Sequence, residues 1–89
     1  MRIVRHRNFK KRYQRLDKYI RGKADLAMEK FYRNPFDPLL RNHALKGDMV
    51  GRRAISVTGD VRIIFEEHDN YVLVIMLDVG THNQIYPYS

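Results

Sequence analysis

The chain has 89 residues, a formal net charge of +7 and no cysteine. That length gives one small domain over residues 1–89, and the lack of thiols excludes a disulfide framework and a thiolate metal site. No run approaches the roughly 20 apolar residues a membrane span needs, and the charged start MRIVRHRNFKKR has no apolar signal-peptide stretch, so the expectation is a soluble, unprocessed, cytoplasmic protein.

The charge is lopsided. Residues 1–33 hold 12 Lys and Arg against 3 Asp and Glu, whereas residues 34–89 hold 5 against 7. A helical surface this basic suits phosphate backbones or an acidic protein partner. It equally suits a solvated face that keeps the chain in solution.

In chain order, Met1–Arg5 carries Ile3 and Val4 and reads as a short first strand. Phe9, Tyr13, Leu16 and Ile20 then recur at i, i+4, i+7 and i+11, one stripe of a helix, with Lys10, Lys11, Arg12, Arg15 and Lys18 around its other faces. Asn8 is the expected N-cap. The Arg21-Gly22 step is expected to loosen the helix, after which Ala24, Ala27, Met28 and Phe31 repeat the pattern until Pro35 forces a stop by Asn34. The result is a basic helical hairpin with one apolar side.

Residues 35–51 read as an ordered connector, punctuated by Pro38, Gly47 and Gly51 and anchored by Phe36, Leu39, Leu40 and Leu45. Residues 53–57 alternate as a strand, with Ile55 and Val57 on one face and Ala54 and Ser56 on the other. Thr58-Gly59-Asp60 is a turn, and residues 61–66 alternate again, placing Val61, Ile63 and Phe65 opposite Arg62 and Ile64. A second turn at residues 67–70 leads to YVLVIMLD, residues 71–78, too continuously apolar for a strand with one wet face and therefore read as central. Gly80 is expected to permit a sharp exit from it. The fold class is α+β: a small, mostly antiparallel four-stranded sheet in the order β-α-α-β-β-β, with the basic two-helix hairpin on one face. Parity sends Arg62, and Ser56 beside it, to the face the helices leave open.

No metal motif emerges, because His6, His43, His68 and His82 lack the spacing and companions of a metal site. No phosphate loop, dinucleotide fingerprint or nucleophile elbow is present either. His43, Arg53, Asp60, Arg62, His82 and Tyr86 are the residue types that RNA cleavage requires. That reaction needs a base for the ribose 2′-OH, cations for the charge on the phosphorus-centred transition state, and an acid for the leaving 5′-oxygen. Each has a plainer reading: His43 bonding the connector, Asp60 as turn chemistry, Arg53 and Arg62 in structural ion pairs, Tyr86 packing on the sheet. His82, just past a buried strand, leans towards function, and His68, in a polar turn, towards none.

Taken in order, HALKG at 43–47, GRRAISVTGDVRIIF at 51–65 and LDVGTHNQIY at 77–86 resemble the bacterial RelE/ParE toxin superfamily, most of all its YafQ-type branch of messenger-RNA-cleaving toxins. The resemblance covers the second half residue by residue and the first half through element order. It implies a ribosome-associated endoribonuclease that needs no cofactor and is held inactive by an antitoxin encoded in the adjacent gene, with DNA met only through that antitoxin. The family's motif positions fall on His43, Asp60, Arg62, His82 and Tyr86. His82 and Asp60 would then transfer protons, His43 would assist, Arg62 and Arg53 would hold the scissile phosphate, and Tyr86 would stack on a nucleotide. Lys10, Lys11, Arg12 and Arg15 would meet ribosomal RNA. Ser56 stands where YafQ-like members place a further histidine, so the resemblance gives it the phosphate-side position without proton-transfer ability. Other outcomes open to this fold are a ParE-like inhibitor of a protein such as DNA gyrase, and an inert RNA-binding relative.

Overall fold

The computed structural model describes residues 1–86. Its strands are β1 (Arg2–Arg5), β2 (His43–Ala44), β3 (Arg53–Ser56), β4 (Val61–His68) and β5 (Leu73–Thr81), and its helices α1 (Arg7–Arg15), α2 (Lys18–Arg33) and α3 (His82–Ile85). Two 3-10 turns, Pro38–Leu40 and Gly47–Met49, lie in the connector. The sheet has five strands in the order β1-β5-β4-β3-β2, with β1 parallel to β5 and every other pair antiparallel. The fifth strand is β2, two connector residues in which His43 pairs Ala54 and Ala44 pairs Arg53. It is too short for any alternation to announce it.

The helical hairpin breaks earlier than the glycine suggests. Leu16 turns extended and Asp17 caps α2, its carboxylate accepting from the Ile20 N–H at 2.9 Å, while Gly22 lies inside α2. A good capping carboxylate satisfies a donor that the chain would otherwise leave bare, which outweighs the modest penalty of a helical glycine. Likewise α1 is capped by His6, whose Nδ1 accepts from the Asn8 N–H at 3.0 Å, and not by Asn8. Pro35 does end α2, with Asn34 at its C-cap.

The stripe residues Phe9, Ala27, Met28 and Phe31 pack on Ile55, Val61, Ile63, Phe65, Val74, Met76 and Val79 of the sheet. Phe31 meets Phe65 edge-on, ring centroids 4.9 Å apart, a favourable arrangement of aromatic quadrupoles. Tyr71 joins this cluster from outside β5. Asp69, Asn70 and Tyr71 all have left-handed backbone, with φ of 54°, 57° and 69°, so the strand starts at Leu73 and not at Tyr71. A tyrosine there is strained by roughly 1–3 kcal/mol. It is held by Phe31, Phe36 and Phe65, and by its N–H donating to Glu67 at 3.0 Å.

The other face carries a smaller apolar cluster of Ala54, Ile64 and Ile85, flanked by Leu45, Met49, Leu77 and Tyr86. Between Ile64 and Phe65 the β4 to β5 register slips: Phe65 pairs Met76 and Ile64 pairs Asp78, leaving Leu77 as an extra residue. Such a bulge reverses side-chain parity along one strand. Val74 and Met76 face the helices before it, and Val79 does so after it.

Gly22 has open space where a Cβ would stand. Gly22→Ala is therefore expected to stabilise the fold by about 1 kcal/mol, and Asp17→Ala to destabilise it by about 1 kcal/mol, both read from urea unfolding. Destabilisation by Gly22→Ala would place the hinge at the glycine after all.

Candidate active site

On the face opposite the helical hairpin, His43, Leu45, Arg62, His82 and Tyr86 line one open depression of about 350 Å3. Four chain segments meet there: β2 and the residue after it, the middle of the sheet at β4, the start of α3, and the residue that ends α3.

Arg62 enters from β4. One guanidinium nitrogen donates to the carbonyls of Thr58 and Val61 at 2.8 and 3.2 Å, so the side chain is fixed to the backbone of its own hairpin turn. Its remaining nitrogens make no hydrogen bond within the described residues. They are left for an anion, and a guanidinium fork suits phosphate.

His43 follows Arg41, whose left-handed backbone (φ 52°, ψ 44°) closes the first 3-10 turn. The turn brings the Arg41 carbonyl within 2.8 Å of His43 Nδ1. A carbonyl only accepts, so Nδ1 carries the proton and the neutral ring presents a bare Nε2. Asn42, between them, is held on three sides: its Nδ2 donates to the Pro35 carbonyl and to the Tyr71 hydroxyl, each at 3.0 Å, and its Oδ1 accepts from Arg53 Nε at 2.8 Å.

His82 opens α3, which is fixed by a capping box: Thr81 Oγ1 accepts from the Gln84 N–H at 3.3 Å and Gln84 Oε1 from the Thr81 N–H at 2.9 Å. The exposed His82 ring lies 4.8 Å from that of Tyr86. Burial pushes the Tyr86 phenol above its ordinary range, against the opposing field of Arg62, so at neutral pH it is a hydroxyl donor. Gly80 is no exit from the strand but a buried residue of β5. A Cβ on it would stand 2.6 Å from Gln84 Oε1, so the missing side chain is what lets the capping box sit against the sheet.

The remaining residues singled out in the sequence lie elsewhere. Asp60 is exposed in the β3–β4 turn, where its N–H donates to Thr58 Oγ1 at 3.2 Å, and it does not line the depression. Arg53 has the parity of Ile55 and shares the helix-side face with its partner Phe65. Its guanidinium serves Asn42. Ser56 is the register partner of Arg62 yet borders a separate groove between α2 and β3. Lys10, Lys11 and Arg15 are exposed on α1 and make no ion pair within the described residues, whereas Arg12 is half-buried with its Nε 3.6 Å from Asp78 Oδ1. Among the described residues no three His, Asp or Glu side chains converge as metal ligands, and no helix is long and apolar enough to cross a membrane. Sequence reasoning passed over Asn42, which acts through hydrogen bonds that only the folded chain closes, and Asp78, which the bulge re-aims.

The family model described as the YafQ bacterial toxin of type II toxin-antitoxin systems matches residues 1–87. Among solved structures, YafQ from E. coli strain BL21(DE3) is similar with a TM-score of 0.81 at 22% identity, covering 97% of this chain and 99% of that one. The YoeB/ParE toxin from Agrobacterium tumefaciens is similar with a TM-score of 0.76 at 24% identity over 92% and 99% of the two chains. The E. coli DinJ-YafQ toxin-antitoxin complex contains a chain similar at a TM-score of 0.77 and 22% identity, with 94% of each covered. No curated protein matches by sequence.

Burial raises the Asp78 carboxyl above the usual carboxylate range, with Arg12 and the Val79 N–H pulling the other way. A carboxyl with a higher pKa folded than unfolded contributes stability below its unfolded value of about 3.9 and loses it as pH rises through the folded value. Ionised Asp78 therefore costs stability at pH 7. Asp78→Asn keeps an oxygen for the Val79 N–H and is expected to raise the Tm at pH 7, with the gap to the parent closing below about pH 4. A lower Tm at pH 7 would mean that the Arg12 pair outweighs burial.

Proposed function

The chain belongs to the YafQ family of bacterial type II toxins, and from that premise we propose that it is an endoribonuclease that cuts messenger RNA in the depression built by His43, Arg62, His82 and Tyr86. The observation that carries this reading is the convergence of two imidazoles, a guanidinium with uncommitted donors and a protonated phenol on one open concavity. Phosphodiester transfer by a ribose 2′-OH needs a base, an acid and donors for the phosphate, and those groups can supply all three.

In this mechanism the bare Nε2 of His43 takes the 2′-OH proton as that oxygen bonds to the adjacent phosphorus. Arg62 holds the non-bridging oxygens, and its anchorage to the Thr58 and Val61 carbonyls means that little reorganisation accompanies the gain of charge. The P–O5′ bond breaks, and protonated His82 supplies a proton to the departing 5′-oxygen. The products are a 2′,3′-cyclic phosphate and a free 5′-OH. Tyr86 donates its hydroxyl to the phosphate or supports a base with its ring. Asp60, outside the depression, has no step here, and neither does Arg53, which orders Asn42 next to His43. Ser56 leaves the proton transfers to the two histidines.

Exposed Lys10, Lys11 and Arg15 on α1 suit a salt-sensitive attraction for ribosomal RNA, and in this reading cleavage takes place on translating ribosomes. The similar E. coli YafQ is seen bound to DinJ in a toxin-antitoxin complex, and a cognate antitoxin is the partner proposed for this chain.

Brief induction followed by mapping of transcript 5′ ends tests the reading. The parent is expected to produce cuts in coding regions. Arg62→Ala should slow cleavage about 100- to 1,000-fold, and His82→Ala about 100-fold or more, with both variants folded by circular dichroism. Intact transcripts alongside a DNA-damage response would replace the nuclease with an inhibitor of a protein target.

A further inference from the structure

Two residues along β4 from Arg62, the same sheet face holds a second depression of about 270 Å3. Its floor is apolar, made by Ile64, Leu77 and Ile85, and its rim is polar, with His6, Arg52 and Asp78. Ile85 is the residue before Tyr86 and Ile64 the second after Arg62, so the two depressions are neighbours along β4 and α3. Two strand residues span about 6.7 Å, comparable to the step between neighbouring nucleotides in an extended strand.

The rim is chemically specific. Both contacts of the Asp78 carboxylate fall on Oδ1, the Val79 N–H at 2.8 Å and Arg12 Nε at 3.6 Å. Oδ2 has no hydrogen bond within the described residues, and no buried side-chain oxygen or nitrogen there is left unpartnered, so Oδ2 remains open to solvent as an acceptor. His6 Nδ1 is occupied as the cap of α1, so the neutral ring carries its proton on Nε2 as a donor. Arg52, exposed and lining the depression, donates from its Nη1 to the Met49 thioether, 3.5 Å from Sδ.

We propose that this depression is a base-reading subsite for the nucleotide next to the scissile phosphate and that it selects guanine. It rests on the nuclease reading for its place beside the cut but not for its ligand chemistry. Guanine alone presents two adjacent donors, N1–H and N2–H, on its Watson–Crick edge, and Asp78 accepts both. Adenine and cytosine offer one donor beside an acceptor, and uracil flanks its single donor with carbonyls that a carboxylate repels. The His6 Nε2–H faces an acceptor such as O6. The apolar floor takes one face of the purine, and Arg52 covers the other. A carboxylate kept half-buried beside an apolar floor is what such discrimination needs, because a wrong base leaves it desolvated without donors.

The probe is guanosine 5′-monophosphate, titrated into the isotope-labelled full chain and followed by NMR, with the adenosine, cytidine and uridine monophosphates as controls. Guanosine monophosphate is expected to shift the Ile64, Leu77 and Asp78 amides and to bind at least about 10-fold more tightly than the others, a preference that Asp78→Asn abolishes. In cells, the mapped 5′ ends of the parent should show guanine enriched at one position flanking the cut, and the cuts that Asp78→Asn makes should show that enrichment lost. Equal shifts by all four nucleotides, or a guanine preference untouched by Asp78→Asn, overturns the subsite while leaving the nuclease standing. Nucleotide-selective shifts without transcript cleavage sink the nuclease and keep the subsite.

Discussion

The single extra residue at Leu77 decides which side chains of β5 reach the working face. Without the slip between Ile64 and Phe65, strict alternation from Val74 and Met76 would send Asp78 and Gly80 into the helix-side core and turn Val79 away from it. A carboxylate among Phe9, Phe31 and Phe65 would cost several kcal/mol. Gly80 on that side would leave no recess for Gln84. The bulge thus satisfies the core and the opposite face together: it gives the core Val79, gives the second face Asp78, and sets Gly80 across from Arg62. A strand that reads as uniformly apolar is in fact two half-strands of opposite parity.

The depression is then fixed at two ends by different means. On the β2 side, Asn42 ties the connector to Pro35, to the strained Tyr71 turn and to Arg53, so the backbone that carries His43 is anchored to the aromatic core. On the α3 side, a four-residue helix too short to stand on propensity is held by its capping box and by Ile85 seated on Ala54 and Ile64. Arg62 is tied to its own hairpin. Each group that lines the depression is therefore positioned by backbone carbonyls or packed apolar atoms rather than by another charged group. Its charge stays available, which is the condition for preorganised electrostatics.

Much of this was legible beforehand. The helical stripe through Phe9, Ala27, Met28 and Phe31 reports a core that must be buried, and the alternation of Val61, Ile63 and Phe65 against Arg62 and Ile64 reports a face, because burial imposes those periods. The same parity rule, had it been applied to Arg53, would have placed it on the helix side with Ile55, although the resemblance nominated it for phosphate. What stayed hidden depends on contacts distant in sequence. A capping aspartate at position 17 competes with a glycine at 22, a two-residue strand exists only because β3 offers it an edge, and a bulge leaves no mark in an apolar run. Asp60 shows the converse. Its motif position is distinctive, yet the turn directs it to solvent outside the depression.

The distribution of charge gains its meaning from where α1 lies. Most of the excess cation belongs to residues 1–33, and most of α2 covers the face away from the depression. But α1 packs on β5, the strand that also carries Asp78 and Gly80, and Arg12 holds its Nε 3.6 Å from Asp78 Oδ1. Lys10, Lys11 and Arg15 are exposed on the same helix as Arg12. A backbone held along α1 would present its bases to the β5 side of the sheet, where Arg52, Asp78 and then Arg62 follow one another. Asp78 is the acidic residue that lines the second depression. In the proposed subsite its half-buried carboxylate opposes a phosphate and favours a strand that offers it a donor-rich base edge.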